Sequence, residues 1–301
     1  MFSILIPTLD NLDYLKLCLR SLKENSKYDH EIVIHVNENH EDTIKFLKDE
    51  NFKYSHTSYN AGICEGVNLA AKLSTKQYFL YAHDDFYFCP NWDIVLFNEL
   101  KYLKHKSFYL SGTMIQNGQV QLDCGDNIKN FNEKKLLSQY KNIKYYDFQG
   151  STWAPHLIHK DLWNKVGGFS EEFFPGTGSD PDLNMKLWNE GVRIFKGLQH
   201  CKVYHFGSIV TRQKEKKFNS ITESGSKGSK MFLVKWGFSI KFFKKYFLKS
   251  DTKYLGELKK PDKNIGYYLN LIFNKMNYFY IKYIYNFKNK HKLINDEITK
   301  D

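Results

Sequence analysis

An α/β fold with a mostly parallel central sheet is what this sequence predicts, and three observations carry the prediction. Short β-branched or aromatic runs alternate with segments of helical spacing over the first hundred residues. Polar side chains gather just after the ends of those runs, where α/β sheets hold their ligands. The composition, 42% apolar and 26% charged, is that of an ordinary globular chain.

The elements follow in order. Residues 2–6 form an apolar run closed by Pro7, and residues 14–22 carry apolar side chains at helical spacing. A second strand is expected over 31–36 (EIVIHV), a helix over 42–47, a short third strand over 52–56 and a helix over 61–73. Residues 77–82 (QYFLYA) read as a buried strand that ends in His83-Asp84-Asp85. The alternation βαβαβαβ implies a parallel sheet covered on both faces. After residue 105 the pattern loosens into short strands and loops. It resumes at 160–166, at a helix start at Asp180 and at a strand over 202–206, with Gly176, Gly178, Gly207, Gly225 and Gly228 reading as mobile connections. There is no internal repeat.

At 301 residues the chain has room for one catalytic core with an extension. We place the core at 1–211. The extension, 212–301, is basic, aromatic and mainly helical. It holds 21 Lys and Arg against 8 Asp and Glu, whereas residues 1–211 hold 23 against 25. A positive field concentrated at one end attracts polyanions or phosphate-bearing surfaces, and a lysine-rich solvated face is the plain alternative. Residues 241–247 and 267–287 carry aromatics on nearly every helical face. They read as interfacial helices on a membrane surface, or equally as helices packed on the catalytic domain or on a second subunit. Five dispersed cysteines without a CxxC pair indicate neither a disulfide framework nor a zinc site and fit a reducing compartment. The first residues lack a basic leader, and no run approaches the ~20 apolar residues of a membrane span, so a cytoplasmic protein, soluble or peripheral, is expected.

Several groups could carry chemistry. Adjacent carboxylates at the end of a hydrophobic strand, Asp84 and Asp85, repel unless a cation lies beside them. A hard divalent ion would supply that charge and neutralise a departing diphosphate. In Gly178-Ser179-Asp180-Pro181-Asp182-Leu183, Asp180 reads as a helix N-cap with Pro181 at the first helical position, and also as a carboxylate placed to act as general base. His205 lies inside an apolar strand pattern, where histidines are more often packed than ligating; it becomes a metal ligand only if the fold brings it beside Asp85. Asn60-Ala61-Gly62 with Asn68 one helical span later places a turn glycine and two amides near the strand ends, which suits a ribose or base as well as a helix cap. Trp163 and Trp188 read as packing residues, whereas Trp153, in a Gly-Ser-Thr-Trp loop, is the candidate for stacking on a sugar.

Taken together, these segments resemble family 2 glycosyltransferases of the GT-A fold. Residues 3–8 (SILIPT) resemble that family's opening strand, 60–71 (NAGICEGVNLAA) its asparagine-glycine segment and 81–93 (YAHDDFYFCPNWD) its metal-binding strand end. Residues 160–188 resemble its acceptor region, and 203–208 (VYHFGS) its later metal-ligand histidine. The resemblance covers about 1–245 and implies a core with a nucleotide-binding half to about residue 105 and an acceptor-binding half over about 106–211, performing an inverting transfer from a nucleotide diphosphate sugar with Mn2+ or Mg2+. By position it implies Asp85 and His205 on the metal, Asp84 on the ribose or a metal-bound water, and Asp180 as the base. It also implies Pro7, Thr8, Asp10, Asn37 and Glu38 around the nucleotide, joined by Asn60, Gly62 and Asn68. Trp153 and Asp182 are expected on the acceptor, which is a glycan, lipid-linked or protein hydroxyl. Two departures stand out: Val36-Asn37-Glu38 replaces the aspartate often found at the end of the second strand, and Ser179 replaces the glutamate that usually precedes the base.

Two other classes compete. A sugar-phosphate nucleotidyltransferase would need a glycine-rich, basic loop after the first strand, and here that loop is Pro7-Thr8-Leu9-Asp10-Asn11. A polyanion-binding module would rest on the basic extension alone, yet the acid-lined front half is unlike a nucleic-acid groove, so no nucleic acid is expected.

Overall fold

A computed structural model of the chain describes residues 1–207 and 221–285. Its first strand, β1 (Ser3–Thr8), is buried along its whole length. It lies between parallel neighbours β2 (Glu31–Asn37) and β4 (Tyr78–Tyr81), with β3 (Lys53–Thr57) beyond β2. The crossovers are α1 (Leu12–Asn25), α2 (Glu41–Asp49) and α3 (Gly62–Leu73). The expected βαβαβαβ order therefore stands, with boundaries moved by three residues or fewer.

The second half extends the same sheet. After β5 (Phe86–Phe88) and α4 (Trp92–Leu103) come β6 (Phe108–Ile115), α5 (Glu133–Gln139), β7 (Phe148–Gln149) and β8 (His156–His159). These are followed by α6 (Lys160–Val166), α7 (Ser179–Asn189) and β9 (Ile194–His205). The strand order is β3-β2-β1-β4-β8-β6-β9-β5, with β7 also on β9. Strand β8 runs antiparallel to β4 and β6, and β5 antiparallel to β9, so the sheet is mixed beyond β4.

Here the sequence reading needs corrections. Strand β6 is buried at all eight positions although Ser111, Gly112 and Thr113 break its apolar run. The small residues answer to a close approach: a Cβ on Gly112 would come within 2.8 Å of the Cys201 carbonyl. Strand β9 starts eight residues earlier than expected, its first part being hidden by Lys196, Gln199 and His200. Helix α7 begins at Ser179 after a left-handed Gly178, so Asp180 sits in the first turn rather than at the cap.

The expected division at 211/212 lies outside the described residues, as does Ser208. The described part of the extension comprises α8 (Ile221–Trp236), α9 (Ile240–Phe243) and α10 (Ile265–Phe279). Phe232, Phe243, Leu248 and Leu258 join the main hydrophobic core, so much of this region packs on the catalytic body. Gly228, expected in a mobile connection, lies within α8. A Cβ there would come within 2.1 Å of the Thr177 carbonyl, so its lack of a side chain lets α8 close against the loop before α7.

Asp182 is likewise corrected. It is fully buried, and its carboxylate accepts from Ser170 Oγ (2.6 Å), Trp236 Nε1 (2.8 Å) and Lys235 Nζ (2.9 Å). It ties α8 to α7 and has no surface left for an acceptor. Replacing Asp182 with Ala leaves a cation and an indole N–H without their partner. Denaturant unfolding of the variant is expected to show a loss of about 3 kcal/mol, the low end for a broken buried pair, because Lys235 keeps 26% of its side chain in solvent.

Candidate active site

The site is built where β1, β2 and β4 end. Thr8, the last residue of β1, donates its hydroxyl to Asp84 Oδ2 at 2.7 Å, and Asn11 also bonds to that carboxyl. Burial, reinforced by the neighbouring Asp85 charge, pushes the Asp84 carboxyl above the usual carboxylate range. This strand end therefore favours positive charge.

Pairing of β5 with β9 sets Phe86 opposite His205. As a result His205 Nε2 comes 3.5 Å from Asp85 Oδ2, and the Phe206 N–H bonds to the Asp85 carbonyl. His83 Nδ1 lies 3.9 Å from Asp85 Oδ1. One ligand atom from each of His83, Asp85 and His205 falls within 4.8 Å of the other two. Nε2 of His205 is buried and has no hydrogen-bond partner, as expected of a nitrogen kept for a metal. Burial lowers His83 to about 4, so its ring is neutral near pH 7 and keeps a lone pair for coordination. The residues fit a divalent cation, and two imidazoles with one carboxylate suit Mn2+ better than Mg2+, which prefers an all-oxygen shell. His83 had not been singled out as a ligand; its place directly before the two carboxylates was the available signal.

The base candidate lies across a buried aromatic ring. Tyr81 packs on His83 with ring centres 5.3 Å apart and on His156 at 5.1 Å. His156 Nδ1 in turn lies 3.7 Å from Asp180 Oδ1 and 2.9 Å from the Tyr109 hydroxyl. Asp180 Oδ1 is buried without a hydrogen-bond partner, while 23% of the side chain remains exposed. Burial raises the Asp180 carboxyl to about 7. The same burial lowers His156 to about 3, so no adjacent cation pulls the acid back down. A carboxyl poised near neutrality with one exposed edge is suited to taking a proton.

The remaining expected residues divide into two groups. Asp10 and Glu38 stand at the ends of β1 and β2 with φ of 51° and 62°, a left-handed conformation that costs non-glycine residues energy and that clusters at functional sites. His40 lies between them, 3.7 Å from Asp10 Oδ1 and 3.6 Å from Glu38 Oε2. Pro7 is buried beside them within β1. The amides, in contrast, are spent on the frame. Asn37 donates to the Thr8 carbonyl and accepts from the Ala61 N–H. Asn60 accepts from the Gly62 N–H, and the Ile63 N–H bonds to the Pro175 carbonyl, so the first two donors of α3 are taken. Asn68 bonds to both backbone groups of Phe169 and to Glu171. Gly62, at φ 70°, packs under Phe174; a Cβ there would come within 2.9 Å of that ring. Trp153 is 45% exposed with Lys244 Nζ over its ring at 5.3 Å.

The profile of Glycosyl transferase family 2 matches residues 3–165, which include β1, the acid pair and β8. The chain belongs to glycosyl transferase family 2. It is a glycosyltransferase, and its sheet is that of the GT-A fold. Crystal structures of S. aureus TarS are similar in fold. The fragment 1–349 aligns with a TM-score of 0.52 at 13% identity, over 95% of this chain and 73% of that one. The same fragment in complex with UDP-GlcNAc gives 0.55 at 13%, over 93% and 73%. A further crystal structure of S. aureus TarS gives 0.53 at 14%, over 93% of this chain and 43% of that one. No curated protein matches the sequence.

For this family member, removing the His205 imidazole should cost metal affinity without unfolding the sheet. Titrating Mn2+ and following the free-ion paramagnetic resonance signal should show at least about tenfold weaker binding by His205→Ala and by Asp85→Asn than by the parent. Equal affinities would remove the metal from this position.

Proposed function

We propose that the chain transfers a sugar from a nucleoside diphosphate sugar to an acceptor hydroxyl with inversion at the anomeric carbon. The observation that carries the reading is the meeting of Asp85 with the unpartnered His205 Nε2, 120 residues apart in sequence, at the strand end beside Asp84. The complex of S. aureus TarS with UDP-GlcNAc supports a nucleotide-sugar donor and makes a uridine diphosphate sugar the first candidate.

In this reading Asp10 and Glu38, with His40 between them, face the nucleoside over a floor made by Pro7 and Asn37. Thr8 and Asn11 hold Asp84 toward the ribose. Asp85, His205 and His83 would hold a divalent cation, Mn2+ before Mg2+, which supplies positive charge to the diphosphate oxygens as the bond to the sugar breaks. Asp180 takes the proton of the acceptor hydroxyl while that oxygen forms its bond to the anomeric carbon from the opposite face. The nucleoside diphosphate departs with the electrons of the broken bond. His156, itself bonded to the Tyr109 hydroxyl, stands 3.7 Å behind the buried oxygen of Asp180. The exposed indole of Trp153 offers a stacking face for a sugar-bearing acceptor, whether glycan or lipid-linked.

A panel of nucleotide sugars, scored for diphosphate release with the product's anomeric configuration read by NMR, tests the reaction. An inverted product is expected, and a retained one would contradict the base role. Asp180→Asn is expected to lower turnover by about a hundredfold or more while nucleotide affinity is kept.

The pH dependence has a definite sign. Because burial holds the Asp180 carboxyl near 7, the ionised base accumulates as pH rises through that value. Turnover at pH 6 should be roughly a tenth of its plateau, measured as kcat with saturating metal. The folded state resists that same ionisation, so the group's contribution to stability is full below the ordinary carboxylate range and is lost as pH rises through about 7.

A further inference from the structure

Helix α10 is built inside out for a solvated helix. Tyr267 and Asn274 are its buried residues, and its contacts with the body are largely polar. Asn274 Oδ1 accepts from the Ser239 N–H at 2.6 Å, Tyr246 donates to the Gly266 carbonyl at 2.9 Å, and Tyr267 packs on Phe242 at 5.1 Å. The apolar side chains point the other way. Ile265, Leu269, Ile272, Phe273, Met276 and Phe279 are each between 53% and 79% exposed. At ~100° per residue, these positions together with Tyr268 and Tyr280 span an arc of ~140°. A stripe of this width on one helix exceeds the scattered apolar exposure of an ordinary protein surface and marks a surface that something covers.

Charge indicates what covers it. From Lys263 to Asn295 the sequence has six lysines and no aspartate or glutamate. Lys275 is exposed on one flank of the apolar arc, and Lys282 is exposed in the π-helical turn Tyr280–Tyr285 that continues the helix. A coiled-coil partner would call for a narrower seam, and identical copies would bring lysines together with no acid to pair them. An apolar face edged with tyrosine and lysine is instead the composition of a helix lying in the headgroup layer of an anionic bilayer. Among the described residues no helix is long and apolar enough to cross a membrane, so contact of this kind lies on the surface.

We propose that the outer face of α10 docks the protein onto an anionic lipid surface. The apolar and aromatic side chains enter the interface, and Lys275 and Lys282 meet the phosphates at its edge. None of these residues belongs to the candidate transfer site, and binding to lipid is read without turnover.

The test is cosedimentation of the full chain with vesicles of phosphatidylcholine alone and of phosphatidylcholine with phosphatidylglycerol. Binding to the anionic vesicles that weakens with salt is expected. The triple change Leu269→Ser, Phe273→Ser and Met276→Ser should weaken it at least about tenfold, and Lys275→Gln with Lys282→Gln about thirtyfold. All five side chains are exposed, so circular dichroism and thermal melting should be unchanged. The proposal is overturned if the parent binds neither vesicle, or if the variants bind as the parent does. It is equally overturned if the apolar triple change abolishes a concentration-dependent oligomer in light scattering while the parent ignores lipid.

Discussion

The antiparallel pairing of β5 with β9 is the constraint on which the rest depends. Three residues of β5 bond to the end of a twelve-residue strand, and the register sets Phe86 against His205. Strand β5 follows directly on the acid pair, so this register is also what sets His205 against Asp85. A slip by one residue would turn His205 to the opposite face of the sheet and leave Asp85 without its nitrogen partner. The packing around the pair guards the register: the Phe86 ring lies 4.7 Å from His83 and 5.0 Å from His205, so the two candidate ligands and the strand core are a single aromatic cluster.

The base side is held by different means. Asp180 stands in the first turn of α7, and α7 is fixed by the buried carboxylate of Asp182 two residues on, which reaches across to Lys235 and Trp236 of α8. Gly228 closes α8 against Thr177, immediately before that turn. The basic extension is therefore part of what positions the proposed base as well as the carrier of an exposed apolar face at α10. One composition serves two purposes because its aromatic residues divide: Phe232 and Phe243 enter the core, while Phe273 and Phe279 remain outside.

Much of this was legible in the sequence. Strands buried on both faces read as continuous apolar runs, which is why β1, β2 and β4 were found, and the carboxylates after β4 announced themselves by ending such a run. The first-turn placement of Asp180 was missed by two positions because Gly178, rather than a side-chain cap, starts the helix. Strand β6 was hidden because its small residues answer to a neighbour, Cys201, about ninety positions away, and local pattern carries no record of such an approach. Asp182 was misread for a related reason: two residues from the proposed base, it looked like site chemistry, and only the return of the chain at Lys235 shows it to be an anchor. Asn37 and Asn68 read as nucleotide contacts, but Asn37 bonds to the Thr8 and Ala61 backbone and Asn68 to Phe169 and Glu171.

The arrangement is tested most directly by anomalous scattering at the manganese edge from crystals grown with Mn2+ and a nucleoside diphosphate. A single peak bonded to both the Asp85 carboxylate and His205 Nε2, with diphosphate oxygens completing its shell, is the expected result. Nucleotide bound in the cleft with no peak between those two residues, or with the ion held elsewhere, would contradict it.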